Sequence, residues 1–218
     1  MRNSLLHKKI LITAGPTYER IDPVRFIGNF STGKMGFAIA EECANRGAEV
    51  VLIAGVTSLS VSHPNIRRID VESAMEMYEA CIQEFPETDI AILSAAVADY
   101  RPLQSADEKI KRKEGENLTI TLVPNPDIAA SLGQLKKPHQ LLIGFALETE
   151  NEEANAIKKM AKKNLDFIVL NSLKDSGAGF GHDTNKVTIL FANSEKKSFE
   201  LKSKKEVARD IVDVISEK

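Results

Sequence analysis

The sequence predicts an α/β fold: a Rossmann-like, doubly wound, mostly parallel sheet flanked by helices, with added antiparallel strands forming a dimerisation edge. Three observations predict it. Short runs that are apolar at nearly every position alternate with amphipathic stretches through the first half of the chain. Such runs are strands covered on both faces, which is the habit of parallel sheets between helices. Glycine and proline punctuate the runs. The second half abandons strict alternation for period-two patterns and a hairpin signal, which read as antiparallel strands.

Lys8–Ala14 is the first buried strand, stopped by Gly15-Pro16. Thr17 to Thr32 reads as a long polar loop. Lys34–Asn45 is a helix; Met35, Phe37, Ile39, Ala40, Cys43 and Ala44 give it an apolar face, and Gly47 ends it. Glu49–Ala54 and Ile66–Val71 are strands, and Glu72–Phe85 is an amphipathic helix that Ser73 or Asp70 caps. Asp89–Ala96 is a fourth strand running into Val97–Tyr100. Glu108–Glu116 is rich in charge and has no apolar face, whereas Leu118–Val123 alternates as a half-buried strand. Asn125-Pro126-Asp127 caps a helix that ends near Leu135. Leu141–Leu147 is a strand, Glu152–Lys163 a helix, and Asp166–Asn171 a strand. A glycine-rich loop occupies Ser176–Gly181. Lys186–Phe191 and Ser198–Lys202 form a hairpin around Asn193-Ser194, and Ser203 with Glu206 makes a capping box for the last helix. Without a linker or repeat, residues 1–218 read as one domain.

Composition narrows the function classes. The chain has 218 residues, 43% hydrophobic and 28% charged, with a net charge of −2. That balance argues against a broad nucleic-acid-binding face. No apolar run approaches the roughly 20 residues needed to cross a bilayer. The start of the chain leads into a strand rather than a signal segment, so the expectation is a cytoplasmic protein. Cys43 and Cys81 stand alone with no CxxC, which argues against a zinc cluster or a disulfide scaffold. His7, His63, His139 and His182 lie in polar or turn segments and suggest solvation rather than catalysis.

Ligands of a doubly wound sheet bind at the carboxyl ends of its strands, so the chemistry is sought in the loops that follow them. Gly28–Lys34 fits GxxxxGK, but Met35 stands where a phosphate-binding loop needs a hydroxyl for magnesium, which argues against a Walker-type NTPase. Small residues and hydroxyls before a helix still offer N–H groups to an anion. Arg25, Asn29, Ser31, Thr32 and Lys34 crowd that stretch. GxGxxG is absent, which counts against a nicotinamide-dependent reductase but leaves it as an alternative, beside a non-catalytic nucleotide-binding protein. Ala95–Pro102 ends a strand with small residues; Asp99 there could hold a metal, a sugar or a base, or be a solvated strand end. Lys109–Lys113 is a basic run that is either solvated or a flexible lid, near residues 108–117, over phosphates.

Taken in order, ITAGPT (12–17), DPVRFIGNFSTGKMGFAIA (22–40), AAVADYRP (95–102), EKIKRK (108–113), NPDI (125–128), GFALET (144–149), KKNLDFIVLN (162–171) and GFGHDTN (179–185) resemble the phosphopantothenoylcysteine synthetase family, across nearly the whole chain. The family is often fused behind a flavin-dependent decarboxylase, and the early first strand suggests a stand-alone form without flavin. The resemblance implies a ligase of coenzyme A biosynthesis. It would activate 4′-phosphopantothenate with CTP and Mg²⁺ to an acyl-cytidylate, then join it to L-cysteine with release of CMP. It also implies a homodimer, with neither nucleic acid nor membrane as partner. By motif position, Asn29 would hold the acyl group, Arg25 would act beside it, and Lys109 would stabilise the nucleotide phosphates. Asp99 and Asp127 would lie near the nucleotide, with Asp99 toward the metal. Ala98, Tyr100, Asn125, Pro126, Ile128 and Phe145 would line the nucleotide site, and Gly15, Ser31 and Thr32 would contact phosphate. The family often carries His or Arg where Phe30 stands, which removes a polar group next to Asn29.

Overall fold

The computed structural model describes residues 4–112, 114–148, 150–172, 181–193 and 195–218. The glycine-rich loop expected at Ser176–Gly181 lies outside them except for Gly181, and Lys113, Thr149 and Ser194 also lie outside.

In chain order the elements begin with β1 (Lys9–Ala14), β2 (Tyr18–Arg20), β3 (Phe26–Gly28), α1 (Lys34–Asn45), β4 (Glu49–Ala54) and β5 (Ile66–Asp70). Next come α2 (Ala74–Glu84), β6 (Ile90–Leu93), β7 (Tyr100–Pro102), β8 (Leu122–Pro124), α3 (Ile128–Leu135), β9 (Leu141–Glu148) and α4 (Glu152–Lys162). The chain closes with β10 (Phe167–Ser172), β11 (Thr184–Asn185), β12 (Val187–Phe191), β13 (Lys196–Ser198), β14 (Lys202–Ser203) and α5 (Lys204–Ser216).

One sheet organises the molecule, in the order β13-β12-β10-β9-β6-β1-β4-β5. Its six strands from β10 to β5 are parallel, and β12 and β13 continue it antiparallel. Alternation along the strands divides the core in two. Ile10, Ile12, Leu52 and Ile92 face α1 and α5 through Ile39, Cys43, Val207 and Ile211. Leu11, Ile53, Ala91 and Leu142 face α2, α3 and α4 through Met77, Leu132 and Met160. The predicted doubly wound sheet is therefore present.

Ser73 caps α2 and Ser203 caps α5, each completed by a glutamate at the third helical position; Asp127 caps α3 by accepting from Ala130 N–H. These caps sit where the sequence places them.

Three elements differ from expectation. The loop 17–32 contains a hairpin, β2 with β3, tied to the body by Tyr18 N–H on Glu72 O (2.8 Å) and by the buried Glu19 carboxylate on Ala74 N–H (2.9 Å). The fourth strand stops at Leu93, because the Ala95 and Ala98 N–H groups turn to the Thr13 and Thr17 hydroxyls. Of the alternating stretch 118–123 only the end pairs, as β8 with β7.

The C-terminal hairpin also differs in its second strand. The C-terminal hairpin pairs Lys196–Ser198 with β12, and Lys202–Ser203 pairs instead with β11. The outer strand β13 thus carries Lys196 and Lys197, a pattern that discourages edge-to-edge pairing. Exposed apolar side chains gather elsewhere, on the β2–β3 and β7–β8 ribbons and the loops beside them. They include Val24, Phe26, Phe30, Tyr100, Leu103 and Leu122, with Phe30 94% exposed. β2 lies against β7, so these form one region.

Candidate active site

The site is built where β1, β6 and β9 end. Beyond Ala14 and Leu93 the two chains stay zipped: Ser94 N–H donates to Thr13 O (3.2 Å), Ala96 N–H to Gly15 O (2.9 Å), and Pro16 bridges Ala96. Helix α1 starts close above. A Cβ on Gly36 would lie 2.6 Å from Ala14 Cβ, and one on Gly33 would lie 3.2 Å from Gly15 Cα. Only glycine allows that approach, and Gly33 also takes the left-handed conformation, at φ +82°. No side chain caps α1. Its first turn, from Lys34 to Gly36, instead lines a cavity.

Two cavities adjoin here. The first, of about 330 Å³, lies between the 95–99 segment, the start of α3 and the end of α4. Ala98, Asp99, Asn125, Pro126, Asp127, Ile128 and Phe145 line it. The second, of about 300 Å³, lies over the start of α1 and takes Asn29, Ser31, Thr32, Lys34 and Phe145. Ala95, Val97 and Phe145 belong to both. Asn29 reaches this seam: its Nδ2 donates to Ala96 O (3.0 Å) and Val97 O (3.3 Å). An elongated ligand could fill both cavities past Asn29.

Electrostatics differ between the two. In the first, Asp127 pairs with Lys163 at 3.0 Å. Burial opposes its ionisation, but the Ala130 N–H and Lys163 outweigh that and hold the carboxyl below its ordinary value. Asp99 is exposed at the rim, and its carboxylate has no hydrogen bond or ion pair among the described residues. In the second, Lys34 Nζ donates to Asp183 at 2.6 Å, and this bond holds the Asp183 carboxyl low. Lys204 is nearly buried and donates to His182 O (2.7 Å); burial, then the nearby Lys34, push its ammonium below the usual lysine range. A lysine held in this way gains from an anion beside it.

Ten predicted site residues line the two cavities, but four others do not. Gly15 is the seat on which Gly33 packs. Tyr100 is exposed on β7. Arg25 is committed to the carboxylate of Asp22 and to Ile110 O (2.9 Å). Lys109 is exposed beside Ile110. The backbone of Ala98, expected to line the nucleotide site, is already engaged: its N–H goes to Thr17 Oγ1 (3.0 Å), and its carbonyl accepts from Asn125 Nδ2 (2.8 Å).

Ser94, Lys159, Lys163, Asn171 and Lys204 also line the cavities and were not anticipated. Two had a legible signal. Asn171 lies at the carboxyl end of a buried strand, one residue before its last, and Lys204 places a cation in the first turn of a helix, against the macrodipole.

Fold and site thus define a doubly wound α/β protein with two adjoining cavities at the carboxyl ends of its strands, the second of them suited to an anion. The chain belongs to the DNA/pantothenate metabolism flavoprotein C-terminal domain family, whose model matches residues 5–218. It is 47% identical over 209 residues to the coenzyme A biosynthesis bifunctional protein CoaBC of Bacillus subtilis, covering 96% of this chain and 51% of that protein. It is 57% identical over 205 residues to a protein from an unknown prokaryotic organism named cysteine/cysteine sulfinic acid decarboxylase, covering 94% and 57%. The chain therefore spans about half the length of the curated relatives it matches. A crystal structure of the C-terminal domain of CoaBC superposes with a TM-score of 0.83 at 45% identity, covering 98% of this chain and 96% of that one. Among the described residues, no helix is long and apolar enough to cross a membrane.

Proposed function

We propose that this chain is a phosphopantothenate–cysteine ligase acting in coenzyme A biosynthesis. The observation that carries the reading is the seam. Two cavities of about 330 and 300 Å³ meet at Ala95, Val97 and Phe145, with the Asn29 amide fixed on the backbone between them. A reaction joining two anionic molecules needs such a junction.

In this reading the first cavity takes the cytidine of CTP, and the second takes 4′-phosphopantothenate. The uncapped start of α1, with Ser31 and Thr32, receives a phosphate; Lys34 and Lys204 balance its charge. Both carboxylate and α-phosphorus then lie at the seam. A carboxylate oxygen attacks the α-phosphorus, the bond to pyrophosphate breaks, and an acyl-cytidylate forms. The amine of L-cysteine next attacks the acyl carbon. The bond to the phosphate oxygen breaks, CMP leaves, and the nitrogen loses its proton. Asn29 orients the acyl group for both steps. Charge builds on oxygen throughout, so fixed N–H donors and lysines serve better than a side-chain nucleophile.

Magnesium binds proteins through one or two carboxylates together with substrate phosphates. The Asp99 carboxylate at the rim of the nucleotide cavity, without a partner among the described residues, suits that role. The ion would neutralise charge on the triphosphate. The exposed apolar ribbons beside Asn29 fit a second copy of the chain, which would make the enzyme a homodimer.

The test is pyrophosphate release. Release that needs CTP and phosphopantothenate together, before cysteine is added, supports the ligase; CTP left unconsumed sinks it. Asn29→Asp should impair the cysteine-dependent step more than the first.

A further inference from the structure

The base of the 108–117 segment is tied down at two points, and Lys109 hangs between them. Ala106 N–H donates to Ile21 O (2.9 Å). Four residues on, the peptide groups of Ile110 are gripped from both sides. Its N–H donates to Asp22 Oδ2 (3.1 Å), and its carbonyl accepts from Arg25 Nη2 (2.9 Å). Asp22 and Arg25 are themselves paired, and the Asp22 side chain is fully buried. Its other oxygen accepts the Val24 and Arg25 N–H groups (both 2.9 Å), while Ile21 N–H reaches Arg25 O (2.8 Å). The β2–β3 turn is thus a preformed template. Its ion pair grips a segment more than eighty residues away, just after the lysine that the ligase reading places on the nucleotide.

We infer that Asp22 and Arg25 are positioning residues that act through Lys109: the pair fixes the peptide of Ile110 and so sets where the Lys109 ammonium can reach. This rests on the ligase reading for Lys109, but the grip on Ile110 does not. Arg25 lines neither cavity and spends its guanidinium on Asp22 and Ile110, which is the geometry of a clamp rather than of a group touching substrate. Arg25 is also only four residues before Asn29. One turn therefore places both the amide at the seam and the base of the lysine segment.

The clamp is tested in two arms on the full chain. The first is amide hydrogen exchange without ligand. Asp22→Asn keeps an oxygen for the Val24 and Arg25 N–H groups, so the turn survives. This variant and Arg25→Gln should each speed exchange at Ile110 on the order of tenfold or more, the scale of a lost charge-assisted hydrogen bond, while β1, β4 and β6 amides hold. Unchanged exchange at Ile110 overturns the clamp. The second arm is CTP-dependent pyrophosphate release. Arg25→Gln should lower kcat on the order of tenfold to a hundredfold with KM for phosphopantothenate unchanged, and should add nothing in a Lys109→Ala background. Additive losses would show that Arg25 acts independently and overturn the inference. If the unaltered chain releases no pyrophosphate, the ligase reading falls, and the exchange arm alone decides the clamp.

Discussion

The sheet and the two ribbons beside it obey different rules. In the sheet, β1, β4 and β6 are buried on both faces, and their apolar side chains divide between two cores. In the ribbons, three-residue strands pair without a core on either side, and their large side chains Val24, Phe26 and Leu122 stay exposed. Burial stabilises the sheet. Long-range ties stabilise the ribbons: Glu19 to Ala74, Arg20 to Glu72, and Asp22 with Arg25 to Ile110. The sheet therefore supplies a rigid floor for the cavities, and the ribbons carry the groups that approach from above.

The largest expected effect comes from the floor. Leu52 is fully buried in β4, between β1 and the edge strand β5. Leu52→Ala should lower unfolding free energy by about 2–5 kcal/mol, through lost transfer energy and the cavity left behind. A urea midpoint unchanged from the parent would break the distinction between the regions, because it would mean that the sheet core carries little of the stability.

An intermediate effect is expected where the regions join. The Glu19 carboxylate takes the N–H of the fully buried Ala74 at the start of α2. Glu19→Ala leaves that donor without its partner and should cost about 1–3 kcal/mol. Exchange protection should fall at β2, β3 and the first turn of α2, and stay unchanged at β1 and β4. Uniform loss across the sheet would show that the hairpin belongs to the main core after all.

This division explains what the sequence reveals. Lys34–Asn45, Glu49–Ala54 and the Ser203 cap are legible to the residue, and the caps at Ser73 and Asp127 to within three residues, because apolar periodicity and capping are local signals. The hairpin at Tyr18–Gly28 is not, because the partners of Glu19 and Arg20 lie more than fifty residues away and leave no periodic trace. The site follows the same pattern. Asn29, Ser31, Thr32 and the Asn125–Ile128 start of α3 are found through motif and cap. Arg25 is found as a charged residue in the right loop, but its commitment to Asp22 and Ile110 depends on how the chain returns. Lys204 sits more than 160 residues from the α1 turn it faces across the second cavity, and only topology brings them together.

The smallest effect on the monomer should come from the ribbon surface, where the proposed second copy would bind. Val24 and Leu103 are largely exposed, and neither belongs to either core. Val24→Ser with Leu103→Ser should change unfolding free energy by no more than about 0.5 kcal/mol per site, the usual range for surface positions. Their removal from water would matter only in the assembled protein, where each apolar side chain contributes in proportion to the area covered. Sedimentation velocity should then show the doubly substituted chain shifted to monomer at concentrations where the parent is a dimer. The contrast with β13 sharpens the point. Lys196→Thr with Lys197→Thr on that outer strand should leave self-association as it was. If the β13 changes dissociate the parent and the ribbon changes do not, the partner surface lies on the sheet edge, and the exposed ribbons need another explanation.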